Sequence, residues 1–156
     1  MRLGILAVGH KLPDWVAAGC AEYVKRMPRE LPMSIVEIKP EPRGTKSREQ
    51  LLAAEKTRLL AALQGFARVV VLDERGADLT TLKLAHRLEE WMREGGDTAF
   101  VIGGADGIDE TLKARADDTI RLSSLTLPHA MARLILCEQL YRAVSVVKNH
   151  PYHREG

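Results

Sequence analysis

The sequence contains NHPYHR near its end, a stretch that concentrates side chains able to do chemistry. Tyr152 can stack on a nucleobase and Arg154 can bind a phosphate. Pro151 is expected to end the preceding helix and to stiffen the chain. The alternative is a frayed terminus, because chain ends often have no task. The residues alone leave both interpretations open.

A second candidate is IGGADG, which follows an apolar run and precedes a short helical pattern. It fits neither the G-x-G-x-x-G nor the Walker pattern, and no lysine follows its last glycine. Gly103 and Gly104 let the backbone pass close to a ligand. Asp106 and Asp109 would repel a polyphosphate, so a cationic or neutral ligand is favoured. The alternative is a tight turn between strand and helix.

A third candidate is LSSLTLPHAMAR, a connection without charge or glycine until its end. As an N-capping segment, Thr126 would cap a helix whose first turn contains Pro128. That alternative does not explain why Leu122, Leu125 and Leu127 are apolar in a connection that should be exposed. An apolar loop with interspersed hydroxyl groups suits the wall of a purine site.

The last long helix carries two charged pairs at i,i+4 spacing. His129 and Arg133 share one face near its start, and Glu138 and Arg142 are expected to form a structural ion pair. A metal site is conceivable from three histidines, but no H-x-x-x-H or H-E-x-x-H helix supports it, so no metal is expected. These histidines are His129, His150 and His153.

Short apolar runs alternate with longer helical patterns, which predicts an α/β fold: a single domain over residues 1–156 with a mostly parallel five-stranded sheet flanked by helices. The strand runs are 2–8, 33–40, 67–73, 97–104 and 118–124. Ligands of such sheets bind beyond the carboxyl ends of the strands, here Leu72-Asp73, Gly103-Gly104 and Ser123-Ser124. The helix from Pro128 to about Val147 is apolar on more than one side and therefore needs two partners, the sheet and a second subunit.

Composition excludes several classes of protein. The net charge of +2, from 23 basic and 21 acidic residues, gives no strong positive potential over the whole protein that would attract nucleic acid. A local patch of positive charge is still compatible with this small net charge. Cys20 and Cys137 lie in apolar helical patterns and read as reduced core residues. No run approaches a membrane span or a signal peptide, which predicts a soluble, cytoplasmic protein without a membrane partner.

Five stretches together resemble the bacterial ribosomal RNA large subunit methyltransferase H family, a member of the SPOUT class: AVGHKLPDWV, VLDERG, IGGADG, LSSLTLPHAMAR and EQLYRA with NHPYHRE. They are spread over nearly the whole length. The resemblance implies an α/β fold with a C-terminal trefoil knot and a homodimer. The implied activity is methylation, from S-adenosyl-L-methionine, of N3 of a pseudouridine in large-subunit (23S) ribosomal RNA within the assembled ribosome.

The resemblance also assigns residues. Ala105 and Asp106 depart from the family pattern in the glycine turn, and Arg43, Lys46 and Arg48 are a candidate patch for the ribosome. In a dimer, one subunit's terminal residues could serve the cofactor of the other. The cofactor site is expected at Leu72, Gly103, Gly104, Leu122, Ser123, Ser124, Leu125, Thr126 and Leu127. The candidates for favouring the deprotonated base are Tyr152, His153, Arg154, Arg142 and His129, with the terminal three ranked first.

Two other hypotheses stay open on the residues. One is a flavodoxin-like module that binds a phosphorylated cofactor at IGGADG. The other is a non-catalytic dimer that uses the terminal residues only to contact the ribosome.

Overall fold

A computed structural model describes residues 1–154, which form one α/β layer structure. Five strands are present: β1 (Leu3–Val8), β2 (Met33–Ile38), β3 (Arg68–Asp78), β4 (Thr98–Ile102) and β5 (Asp118–Arg121). Five helices alternate with them: α1 (Asp14–Arg26), α2 (Arg48–Ala62), α3 (Thr81–Glu94), α4 (Glu110–Arg115) and α5 (His129–Val147). A 3₁₀ helix covers Pro151–Arg154. Glu155 and Gly156, which complete the predicted domain, lie outside the described residues.

The five strands form a single sheet in the order β2-β1-β4-β3-β5, and every paired neighbour is parallel. The prediction of a five-stranded parallel sheet is therefore confirmed. β1 and β4 lie in the interior of the sheet and are buried along their whole length. Their side chains alternate between the two faces, which explains why both strands read as continuous apolar runs.

Helices cover both faces of the sheet. α1, α3 and α5 pack on one face over Leu3, Ile5 and Phe100. α2 and α4 cover the other face over Leu6 and Val101. Cys20 and Cys137 are buried free thiols, as predicted. Within the described residues, no helix combines the length and apolarity that a membrane crossing requires.

Local sequence signals set the helix starts. Ser47 caps α2 through a reciprocal capping box with Gln50. Thr80 caps α3 by accepting from the Lys83 N–H at 3.2 Å.

β3 is longer than predicted. The sequence indicated an end at Asp73, but pairing with β5 resumes at Ala77 after an irregularity, so that Leu72 and Ala77 both face Ile120. The intervening residues 73–76 bulge out of the ladder. Regular pairing of β3 with β5 nevertheless stops at Leu72, so the regular part of β3 ends where the sequence predicted.

α5 ends before the proline that was expected to end it. Asn149 has a φ of 55°, its N–H donates to the Val146 carbonyl at 3.1 Å, and the His150 N–H donates to the Ser145 carbonyl at 2.8 Å. These bonds form a Schellman motif, in which a left-handed residue satisfies the last carbonyls of a helix. The prediction that Pro151 ends the helix is wrong, because the chain has already turned at Asn149.

Candidate active site

Three strand ends define the candidate site. β4, β3 and β5 are neighbours in the sheet and run in the same direction. Gly103 directly follows β4, Leu72 ends the regular pairing of β3, and Leu122 directly follows β5. Leu72 and Leu122 also pack against the core beneath α5. The predicted convergence of these three ends at one sheet edge is confirmed.

The glycine turn after β4 is compact because its residues touch one another. A side chain on Gly103 would bring its Cβ within 2.6 Å of the Gly107 carbonyl oxygen and 2.7 Å of the Ile108 side chain. Gly107 has a φ of 84°, and its N–H donates to the Gly104 carbonyl at 3.1 Å. Gly103 is therefore required by the turn itself, and close approach of its backbone to a ligand stays a prediction.

Asp106 is held by two arginines from the segment before and at the start of α2. Its carboxylate lies 2.7 Å from the Arg43 guanidinium, and its carbonyl accepts from Arg48 at 2.9 Å. Lys46 pairs with Glu41 at 3.3 Å. The three residues of the candidate ribosome patch thus have partners within the chain. Their role on the ribosome stays a prediction, with Arg43 the most exposed at 62%.

The connection from β5 to α5 is apolar and open. The Ser123 hydroxyl accepts from the Leu125 N–H at 2.9 Å, which forms a tight hydroxyl turn. Leu125 is 76% exposed, while Leu127 is half-buried. Pro128 occupies the N-cap position of α5, so the alternative in which Thr126 caps the helix is wrong. Ser124 and Thr126 are exposed along the same connection.

His129, the first residue of α5, joins this helix to the glycine turn. Its Nδ1–H donates to the Gly103 carbonyl at 3.1 Å, and its Nε2 accepts from Arg133 Nε at 2.9 Å. Burial and the adjacent Arg133 charge lower the pKa of His129. The ring is therefore neutral, with both nitrogens engaged, and it fixes the turn against α5.

A second group lies near the other end of α5. The Tyr152 hydroxyl donates to the Glu138 carboxylate at 2.8 Å, which also accepts from Arg142 at 2.9 Å. The Arg142 guanidinium lies 4.9 Å from the centroid of the Tyr152 ring. Tyr141 packs edge-on against Tyr152 at 4.7 Å between ring centroids, and the Tyr23 hydroxyl lies 3.2 Å from that of Tyr152. The predicted ion pair between Glu138 and Arg142 is confirmed.

These contacts set the electrostatics of the terminal group. Burial and hydrogen bonds to Tyr23 and Glu138 raise the pKa of Tyr152 well above its ordinary value, and the Glu138 carboxylate raises the pKa of Arg142. His153 Nδ1 lies 3.4 Å from the buried Ser145 hydroxyl. Arg154 is exposed, with one guanidinium nitrogen 3.4 Å from the Asn149 side-chain oxygen. Tyr152 thus anchors the segment, and Arg154 faces solvent.

The predicted site residues fall into two groups within one chain. The glycine turn, the connection after β5 and His129 lie together. Arg142 follows His129 by thirteen positions, which is about 20 Å along an α-helix. His150 and His153 belong to the far group, so the three histidines considered for a metal do not meet in this chain. Among residues 1–154, no group of three or more His, Cys, Asp or Glu side chains could hold a metal ion.

Sequence reasoning missed several partners. Tyr23 was not among the predicted site residues, but it contacts the terminal group. Arg133 was noted for its spacing to His129, whereas its complete burial was not expected. The spacing of His129 and Arg133 was the available signal for their hydrogen bond. No sequence signal connects Arg43 with Asp106, which are 63 positions apart.

The fold and the site define an α/β protein whose ligand site is built from turns at one edge of a parallel sheet. The family described as "Predicted SPOUT methyltransferase" matches residues 1–153. "Ribosomal RNA large subunit methyltransferase H" of Dechloromonas aromatica is 71% identical over 156 residues, with all of both chains covered. The protein of the same name from Paraburkholderia phymatum is 59% identical over 155 residues, with 99% of each chain covered.

Solved structures agree in fold. A probable methyltransferase from Bordetella pertussis has a TM-score of 0.60 at 16% identity, covering 92% of this chain and 96% of its own. A probable methylase family protein from Haemophilus influenzae has a TM-score of 0.59 at 15% identity, covering 97% and 69%. The chain belongs to the SPOUT methyltransferase family, and within it to the group of ribosomal RNA large subunit methyltransferase H proteins.

Proposed function

We propose that this methyltransferase transfers a methyl group from S-adenosyl-L-methionine to N3 of a pseudouridine in 23S ribosomal RNA within the assembled ribosome. The observation that carries the proposal is the full-length match, at 57% to 71% identity, to proteins named for methylation of large-subunit ribosomal RNA. The alternative of a flavodoxin-like phosphate-binding module loses its basis, because the chain belongs to a methyltransferase family.

The turns at the sheet edge suit this cofactor. A sulfonium ligand needs no cradle of basic groups, and within the glycine turn the Asp106 carboxylate is already paired with Arg43. Leu125 and Leu127 offer apolar surface for a purine, and the backbone around Gly103 is held in place by His129. The residues that hold the cofactor are thus Leu72, the Gly103-Gly104 turn and Leu122 to Leu127. When bound, the cofactor supplies an activated methyl group for in-line displacement, so orientation provides much of the acceleration.

The acceptor nitrogen of the base carries a proton that must leave before or during methyl transfer. Tyr152 is a poor base because its raised pKa keeps it protonated and its hydroxyl donates to Glu138. His129 is equally unsuited, because both of its ring nitrogens are engaged. Arg142 is paired with Glu138. His153 and Arg154 are therefore the residues that we assign to contact with the nucleobase. Arg154 is the cation that favours the anionic form of that nucleobase.

A homodimer would bring the two groups together. His153 lies against Ser145, which follows His129 by sixteen positions or about 24 Å along α5, too far for one chain to use both groups on one base. Much of the surface of α5 that does not face the sheet is apolar and half-buried, including Leu134 and Ile135. Burying it against a second copy is favourable. We infer that the terminal residues of one subunit serve the cofactor turn of the other, and that the enzyme works in the cytoplasm. Threading of α5 into a trefoil knot stays a prediction.

The test of the activity is incubation of the protein with labelled S-adenosylmethionine and unmodified ribosomes, followed by nucleoside analysis. We expect label in 3-methylpseudouridine of 23S RNA. Arg154→Ala is expected to lower kcat with little change in cofactor affinity, and Arg93→Ala, an exposed arginine in the last turn of α3, is the matched control. Label in another nucleoside would overturn the proposed acceptor base, and no label at all would leave the non-catalytic dimer as the interpretation.

The shared site has its own test, which uses mixed dimers. Gly103→Val and Arg154→Ala each disable one half of the site. In a random mixture of the two, half of the dimers are hybrids with one intact site of two, so activity should recover to about a quarter of the wild-type value. If mixing restores no activity, each subunit acts alone.

A further inference from the structure

A cavity of about 390 Å³ opens between α1 and β2, away from the glycine turn. Its walls are mainly apolar, with Leu12, Ala21, Val24 and Ile35 among them. Lys25 and Glu37 add one positive and one negative side chain. Arg133 also lines the cavity, and its side chain is completely buried.

The guanidinium of Arg133 is only partly satisfied. Its Nε donates to His129, but Nη1 and Nη2 have no hydrogen-bond partner among residues 1–154. Nη1 lies 3.6 Å from the Glu37 carboxylate, which is beyond hydrogen-bond length, and the Glu37 side chain is 53% exposed. Buried charges are normally paired and fully hydrogen-bonded. The charge of Arg133 is thus balanced only by Glu37, and Nη1 and Nη2 keep hydrogen-bond capacity that a bound ligand could use.

We propose that this cavity is a binding site for a small organic monocarboxylate, separate from the cofactor site. Its two oxygens accept from Nη1 and Nη2 of Arg133 in the bidentate geometry that guanidinium groups favour. Its apolar body lies along Val24 and Ile35. Lys25 attracts it, whereas Glu37 discriminates against a dianion such as phosphate.

Cys20 lines the same cavity. A hydrogen bond from Cys137, and to a lesser extent the charge of Arg133, lower the pKa of its thiol to about 7 even though the thiol is buried. Because a thiolate would compete with a bound carboxylate for the charge of Arg133, the site is expected to take up the carboxylate when Cys20 is protonated.

The test uses full-length protein with ¹⁵N-labelled arginine, titrated with benzoate at constant ionic strength. We expect the Arg133 Nε–H resonance to shift saturably. The melting temperature should rise by about 3–6 °C at ten times the dissociation constant. Benzamide, the neutral isostere, should do neither. Absence of a saturable shift, an equal response to benzamide, or binding of inorganic phosphate as tight as that of benzoate would overturn the proposal.

Two variants test the site without touching Arg133. Glu37→Gln removes the competing carboxylate and should strengthen benzoate binding several-fold. Ala21→Leu fills part of the cavity and should weaken it at least tenfold. Unchanged affinity in both variants would overturn the proposal even if Arg133→Lys failed to fold.

A final experiment distinguishes a separate carboxylate site from a site that binds the carboxylate group of the cofactor itself. Protein saturated with S-adenosylhomocysteine should still bind benzoate at the Arg133 resonance. If S-adenosylhomocysteine displaces benzoate, the guanidinium belongs to the cofactor site and a separate site is refuted.

Discussion

Replacing His129 should separate the hydrogen bond that joins the glycine turn to α5 from the one that His129 makes with Arg133 within the helix. An asparagine amide nitrogen can occupy the position of Nδ1 and keep the bond to Gly103, but it leaves Arg133 Nε without an acceptor. A glutamine amide oxygen can occupy the position of Nε2 and keep the bond to Arg133, but it loses the one to Gly103. The matched pair therefore removes one bond at a time.

The two losses should differ in size. A hydrogen bond to a charged group contributes about 1.5–3 kcal/mol, and one between neutral groups about 1 kcal/mol. Because Arg133 is completely buried, His129→Asn should lower the free energy of unfolding by about 1.5–3 kcal/mol and His129→Gln by about 1 kcal/mol. Urea denaturation measures both. An asparagine variant more stable than the glutamine variant would refute the assignment of these bonds.

The same residue sets a pH dependence. The pKa of His129 is lowered in the folded state, so between the folded pKa and the unfolded value of about 6.5 the unfolded chain binds more protons. Stability from His129 is present above that range and is lost as pH falls through it, with a slope of at most about 1.4 kcal/mol per pH unit. The protein has five histidines, so the informative quantity is the difference between wild type and His129→Gln. Equal slopes from pH 7.5 to 5.5 would contradict the argument.

Substitutions at four positions test the glycine turn and the terminal segment. Tyr152→Phe loses the bond to Glu138 and should reduce the free energy of unfolding by about 1–2 kcal/mol in urea titrations, with cofactor affinity unchanged. Gly103→Ala would place its Cβ 2.6 Å from a carbonyl oxygen and should weaken S-adenosylmethionine binding at least tenfold by calorimetry. Gly104→Ala would place its Cβ 3.1 Å from a valine side chain and should weaken binding less. A larger loss of affinity for Gly104→Ala than for Gly103→Ala would contradict the proposed role of the turn. Asn149→Ala should cost about 1 kcal/mol in the left-handed region, whereas Asn149→Gly should stay within about 0.5 kcal/mol; equal stability of Ala and Asn would contradict the motif.

Much of the fold could be predicted because periodicity and burial agree along the chain. β1 and β4 are covered on both faces, so their apolar runs had only one good interpretation. β3 was different. Its extension to Asp78 depends on pairing with β5 after the bulge, and no local residue pattern encodes a partner that lies 43 positions away.

Some features of the candidate site could likewise be predicted from the sequence, and others could not. The glycine turn and the apolar connection were visible because local residue types set their shape. The roles of single side chains were not visible, because they depend on contacts across the fold. Tyr152 looked like a group for stacking on RNA, but in the folded chain it lies between Tyr141 and Glu138. The stretch NHPYHR is therefore not frayed, and the side chains that we propose to act on the nucleobase are the half-buried His153 and the exposed Arg154.

The Schellman cap at Asn149 has a thermodynamic consequence for recognition of the ribosome. Fixing the backbone of a residue costs about 1–2 kcal/mol, and for residues 150–154 this cost is met when the protein folds. Contact with RNA then needs little further ordering, so more of the contact energy appears as affinity. The order of this segment therefore depends on the last turn of α5. Warming that melts the last turn of α5 should abolish substrate recognition before the sheet unfolds, making the enzyme sensitive to heat below its melting temperature.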